Sequence, residues 1–384
     1  MQSQSSQVLA QRCAVIVLVA GKLQHIQNLS RIQQAMFSLA FKPLDVDERH
    51  RCFDVIRGIA VLLVVFAHLD NYQALMVWPI SYQPIQGHIG QLGVHLFFIL
   101  SGALIWLSAK NTLHKPDGWT IYAINRITRI TPLYLASILF IVLAKDCYIG
   151  RFKPTIDLET LTWHLFFLQS YKPSLLYNLN SVFWTLTYEM TFYLIVPLLL
   201  LLKPKPILLA AGTALVLILL SNFPTVAPSF FSYWILFAAG ILIIETSTIP
   251  KPWFSVWLLL VATALFTAQP KLLLAEQLFA IACFMVMINF KFQSGVFKPV
   301  AFVGVISYSI YIWHAVLIHL VLPYLGKPQP ILAPQLPFLP FGISIQGVFI
   351  VTLIMLVAYT SYRIIEKPSM NRLRMVLQRR LVKR

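Results

Sequence analysis

One apolar run, Arg51–Leu69, carries three ionisable side chains: Asp54, Arg57 and His68 in RCFDVIRGIAVLLVVFAHL. A charge at the centre of a bilayer costs at least ~2.5 kcal/mol, so such residues in a membrane span are functional-site candidates by default. Asp54 and Arg57 are spaced i,i+3 and share one helix face. His68 lies about 16 Å further along the helix axis at the standard rise. One wall can therefore carry an acid, a cation and a general base.

Other apolar segments hold comparable groups. His95 sits near the start of GVHLFFILSGALIW, and Ser101–Gly102 there suits close helix packing or a local bend. Arg126 and Arg129 stand one turn apart in NRITRITPLY. They suit either a bidentate clamp for a diphosphate or simple anchoring at a membrane surface. Glu189 lies in FWTLTYEMTFYLIVP, where a carboxylate must be paired, protonated or facing water. Tyr308, Tyr311 and His314 lie in ISYSIYIWH; a tyrosine-rich stretch also fits an aromatic belt or a packing seam. Counted along their helices, His68, Glu189, His314 and His95 reach a similar depth. Arg363 and Glu366, at i,i+3 in YRIIEKP, read as an ion pair at the membrane edge.

The elements that position these groups follow from composition. Hydrophobic residues make up 58% of the 384 and charged residues 11%, well below the roughly 25% charged of a soluble domain. The patterning predicts an all-α, polytopic membrane bundle of about ten transmembrane helices, near 53–70, 91–109, 128–145, 181–202, 206–222, 230–247, 253–269, 272–290, 300–322 and 343–365. Pro132 is expected to start or kink the third. Leu158–Gln169 is too short to span and reads as interfacial. The expected organisation is an N-terminal extension over 1–48, a membrane domain over 49–370 and a basic tail over 371–384. The extension reads as amphipathic or poorly ordered rather than as a cleaved signal, since its apolar stretch Ala14–Ala20 is at the lower limit for a signal core.

The net charge of +17 follows the same topology. With a cytoplasmic N-terminus, every Lys and Arg falls inside except Lys145, Arg151, Lys153, Lys172, Lys271 and Lys327. This positive-inside asymmetry places both ends in the cytoplasm and explains the charge without nucleic acid as a partner. The basic tail suits anionic membrane lipid headgroups. Cys13, Cys52, Cys147 and Cys283 lack the pair spacing of a zinc site or a disulfide framework, and no metal is expected.

In order and spacing, RCFDVIRGIAVLLVVFAH, GVHLFFILSGALIW, NRITRITPLY, FWTLTYEMTFYLIVP, ISYSIYIWH and SYRIIEKP resemble the acyltransferase type 3 family of integral membrane proteins. The likeness spans about residues 50–370. It implies an O-acyltransferase that draws on cytoplasmic acyl-CoA, with acetyl the leading acyl group, and modifies a carbohydrate or glycoconjugate at a bacterial inner membrane. It further implies essential roles for Arg57 and His68, a donor-binding role for Arg126 and Arg129, and an acidic site residue at Glu189. On this reading His68 is the general base, oriented by Glu189; Arg57, paired with Asp54, stabilises donor charge or sets the channel electrostatics; Tyr308, His314 and His95 contact substrate. Two departures stand out: no esterase-like soluble domain is seen, and the extension carries no family motif. A secondary transporter with an intramembrane proton relay is the rival class, although no inverted repeat or matched pair of broken helices is evident.

Overall fold

A computed structural model describes residues 41–43, 49–71, 83–150, 152–202, 208–213, 215, 230–246, 248–268, 273–290, 292, 295–326, 330–332 and 343–371. The helices are α1 (Arg49–Asn71), α2 (Gln83–Thr112), α3 (Gly118–Leu143), α4 (Leu158–Leu165), α5 (Trp184–Leu202), α6 (Trp234–Thr246), α7 (Pro252–Ala268), α8 (Leu273–Met287), α9 (Phe297–Val305), α10 (Ser307–Val321) and α11 (Ile345–Ser361). A π-helical turn, Tyr362–Glu366, continues α11. Two short antiparallel pairs complete the description: Phe41–Pro43 with Thr248–Pro250, and Pro330–Leu332 with Ile343–Ser344.

Among the described residues, six stretches are long and apolar enough to cross a membrane: Arg51–Leu69, Gly87–Thr112, Gly118–Leu143, Trp184–Leu201, Ser307–Leu325 and Ile345–Asn371. The helices at Phe230–Thr246, Pro252–Ala268 and Leu273–Met287 are apolar but shorter. At 1.5 Å per residue these fall short of a hydrocarbon core of roughly 30 Å, so six of the expected ten or so spans are supported among the described residues. The expected span at 206–222 lies mostly outside the described residues, as do the tail from 372 and nearly all of the N-terminal extension. The expected span at 300–322 is broken: α9 ends at Val305, and Ile306 leaves helical geometry before α10 begins. Pro132 lies inside α3 rather than at its start. The segment after 157 forms only the short α4, which opens on Asp157 accepting the Thr160 amide at 2.7 Å.

α2 is the hub, packed on α1, α5, α6 and α8, while α1 also meets α9 and α10. Glycines set the tightest crossings. A Cβ on Gly304 would stand 1.7 Å from the Asp54 carbonyl oxygen, and one on Gly58 would stand 2.1 Å from that of Val300, so α9 lies backbone to backbone on α1. Gly102 and Gly240 do the same for α2 and α6, at 2.2 Å from Phe237 O and 2.1 Å from Ile99 O. Close approach through small residues is how helices associate when lipid removes the hydrophobic drive. Gly304→Ala is therefore expected to lower the thermal unfolding midpoint of the detergent-solubilised protein, by a destabilisation of about 1–3 kcal/mol. An unchanged midpoint would show that α9 can slide off α1 without loss.

Candidate functional site

The α1–α2–α3–α5–α10 interior encloses a cavity of about 100 Å³, lined among others by Arg57, Arg126, Arg129, Glu189, Tyr193 and Tyr308. Helical periodicity delivers these groups. On α5, Thr185, Leu186, Glu189 and Tyr193 follow the spacing of one face, and all four line the cavity. On α3, Arg126 and Arg129 reach it together with Ile130.

The cavity's charges are arranged unequally. Arg57 donates to Asp54 Oδ1 at 2.6 Å and lies within electrostatic reach of Glu189 and Arg129. Arg129 is influenced by Glu189, Glu366, Tyr193 and Tyr308. Arg126 meets a hydroxyl and two aromatic rings. It donates to the Ser108 hydroxyl, its guanidinium lies 5.6 and 5.5 Å from the Tyr122 and Tyr193 ring centroids, and its buried Nε has no hydrogen-bond partner among the described residues. Asp54, Glu189 and Glu366 thus serve Arg57 and Arg129, which makes those cations tolerable at this depth. Arg126 Nε keeps unused donor capacity among the described residues.

Glu189 accepts the Tyr193 hydroxyl at 2.6 Å and sits among the arginines. Its hydrogen bond goes to a tyrosine rather than to the imidazole expected from counting depth. Tyr308 lines the cavity and donates to Ile130 O at 2.7 Å. The cavity has a long axis set by residue order. Arg126 and Tyr193 meet near Ser108 on α2, whereas Phe97 on α2 meets Tyr311 and Phe98 meets Trp184. One end is therefore cationic, and the other is formed by Val94, Phe97, Thr185 and Tyr311.

Beyond Tyr311 lies the histidine pair. The Tyr311 and His314 rings are 5.7 Å apart, and His314 meets His68 edge to face at 4.9 Å. His68 Nδ1 is 2.9 Å from Val64 O, and His314 Nδ1 is 3.2 Å from Ile310 O. A carbonyl can only accept, so Nδ1 carries the proton in both rings and Nε2 is left as the basic nitrogen. His314 is fully buried, and its Nε2 has no hydrogen-bond partner among the described residues. His319, further along α10, stacks on Phe152 at 4.3 Å and lies 3.3 Å from the Ser181 hydroxyl. His95 takes a different direction. It is buried against Tyr233 at 6.0 Å, outside the cavity lining.

The expected Arg363–Glu366 ion pair is replaced by a different arrangement. Arg363 is exposed, 5.9 Å from the Tyr359 ring, while buried Glu366 accepts the Ser309 hydroxyl at 2.7 Å. A π-helical turn widens the helix between them and defeats i,i+3 arithmetic. Tyr193, Thr185 and Ser307 line the cavity and escape a sequence reading of the site. For Tyr193 a signal existed, since it follows Glu189 by one turn on the same face.

Long apolar helices packed around buried ionisable groups define a multi-pass membrane protein. The chain belongs to the acyltransferase type 3 family, whose acyltransferase domain matches residues 50–360. A curated relative from Acidianus two-tailed virus, described as "Putative acetyltransferase ORF330", is 35% identical over 146 residues, covering 37% of this chain and 38% of the relative. The chain thus matches about two fifths of that relative's length. No solved structure matches it.

Proposed function

We propose that this protein moves a short acyl group, acetyl first among them, from cytoplasmic acyl-CoA to a hydroxyl of a cell-envelope or exported carbohydrate. The observation that carries this reading is the common axis of the cavity. Arg126, Arg129 and Arg57 gather toward one end, and a tautomerically fixed histidine pair stands beyond the other. Arg126, with Arg129 beside it, binds the phosphates of the donor, and the acyl-pantetheine arm extends along the cavity. His68 Nε2 takes the acceptor hydroxyl proton as its oxygen attacks the thioester carbonyl. The tetrahedral adduct collapses with loss of the C–S bond, and the imidazolium returns its proton to the thiolate. Asp54 holds Arg57 in place, and Glu189 balances the cationic end. Tyr308 and His314 shape the substrate path, and His95 supports it from the aromatic cluster around Tyr233.

The positive-inside distribution favours both termini in the cytoplasm of a bacterial inner membrane, with the acceptor presented from the outer side. The match to a relative described as a "Putative acetyltransferase" supports acetyl as the group moved. Purified protein in liposomes, given acyl-CoA labelled in the acyl group, is expected to transfer label to a glycan acceptor. Mass spectrometry of surface glycans from deletion and parent strains identifies acceptor and added mass together. Uptake of a solute with no label transferred would return the protein to the transporter class.

A further inference from the structure

Arg57 and Arg126 are held in different ways. Arg57 is fixed by a hydrogen bond to Asp54, a contact that spends one of its N–H groups. Arg126 lies over two aromatic faces, its guanidinium carbon 5.6 Å from the Tyr122 ring centroid and 5.5 Å from that of Tyr193. Both separations fall within the roughly 6 Å over which a ring face attracts a cation. The two rings come from different helices: Tyr122 precedes Arg126 by one turn on α3, and Tyr193 reaches it from α5. Both are buried, and their hydroxyls fix them. Tyr122 donates to the Tyr193 carbonyl oxygen at 3.1 Å, and Tyr193 donates to Glu189 at 2.6 Å. From α2 the Ser108 hydroxyl accepts a single N–H of Arg126.

We propose that Tyr122 and Tyr193 are positioning residues for the donor, seating Arg126 in its phosphate-binding posture. The inference rests on the donor reading above. A carboxylate holds a guanidinium by accepting from its N–H groups, and so competes with an incoming phosphate. A ring face holds the cation through its quadrupole and leaves those groups to the ligand. An arginine fixed in advance also loses less freedom when the anion arrives, so the two rings tighten binding without touching the phosphate.

The test is equilibrium binding of CoA, and of pantetheine, which lacks the phosphates, to the full-length detergent-solubilised protein. It needs neither turnover nor an acceptor. Tyr193→Leu and Tyr122→Leu are each expected to raise the Kd for CoA by roughly five- to thirtyfold and to leave that for pantetheine unchanged. Tyr193→Phe keeps the ring face and should stay near wild type. In an Arg126→Ala background Tyr193→Leu should have no further effect, since a residue that acts through another is silent once its partner is gone. Phenylalanine analogues with one, two or three ring fluorines at position 193 keep the ring's shape while draining its face of negative charge. The Kd for CoA should climb along that series, which serves even if the Leu variants are not recovered folded. The inference is overturned by a flat CoA affinity across the fluorinated series, by an equal loss for pantetheine, or by a full effect of Tyr193→Leu without Arg126. If wild type binds CoA no more tightly than pantetheine, or Arg126→Ala leaves CoA binding unchanged, it is the donor reading that fails.

Discussion

His68→Ala is expected to reduce acyl transfer by at least a hundredfold while the protein still reaches the membrane in normal amount. General-base catalysis contributes roughly 10²–10⁴ in rate, which sets the scale. The fixed tautomer makes the assignment sharp. Val64 O accepts from Nδ1 at 2.9 Å, so Nε2 alone can take a proton. His314→Ala tests the partner ring, which contacts His68 edge to face at 4.9 Å. A smaller loss in that variant means that His314 orients the base. If each single variant and the double variant lose the same activity, the two imidazoles act as one unit, since residues of a catalytic unit are strongly non-additive. Labelled transfer in isolated membranes measures the rate, with immunodetection of the protein in the membrane fraction as the folding control. Full transfer by His68→Ala would end its assignment as the base.

The particular residues show what the sequence can and cannot fix. Arg126 and Arg129 could be placed on one helix face by spacing alone, and both reach the cavity. His68 and His314 were expected at similar depth, and their rings touch. Depth, however, is one coordinate along each helix. Azimuth depends on which neighbours a helix meets, and that is set by contacts distant in sequence. Glu189 illustrates the gap: counted to the depth of His68, it turns toward Tyr193 and the arginines. Glu366 illustrates another, because one π-helical turn brings it onto Ser309 where regular helix geometry would set it beside Arg363. The break at Ile306 has a similar origin. A smooth hydropathy run hides the backbone contact of Gly304 with Asp54, which fixes α9 against α1.

Arg126→Ala should raise the KM for acyl-CoA by about tenfold or more, since one charge-assisted hydrogen bond is worth roughly 1.5–3 kcal/mol. The reason lies in its surroundings. Arg129 and Arg57 have carboxylates within electrostatic reach, and Arg126 has the Ser108 hydroxyl, two tyrosine rings and an Nε with no hydrogen-bond partner among the described residues. Arg126→Ala removes one hydrogen bond to Ser108 and the packing on Tyr122 and Tyr193, and the loss should fall on donor binding. Removing Arg129 withdraws a cation shared by Glu189 and Glu366, so Arg129→Ala should also lower thermal stability. A truncated donor makes the comparison decisive. Acyl-pantetheine lacks the phosphates, so wild type and Arg126→Ala should use it equally poorly, while they differ with acyl-CoA. If Arg126→Ala instead impairs both donors to the same degree, the arginine acts on the reacting end or on the fold, and the phosphate assignment is wrong. If neither donor is affected, Arg126 serves only as a membrane-surface anchor, the alternative that its i,i+3 spacing with Arg129 left open.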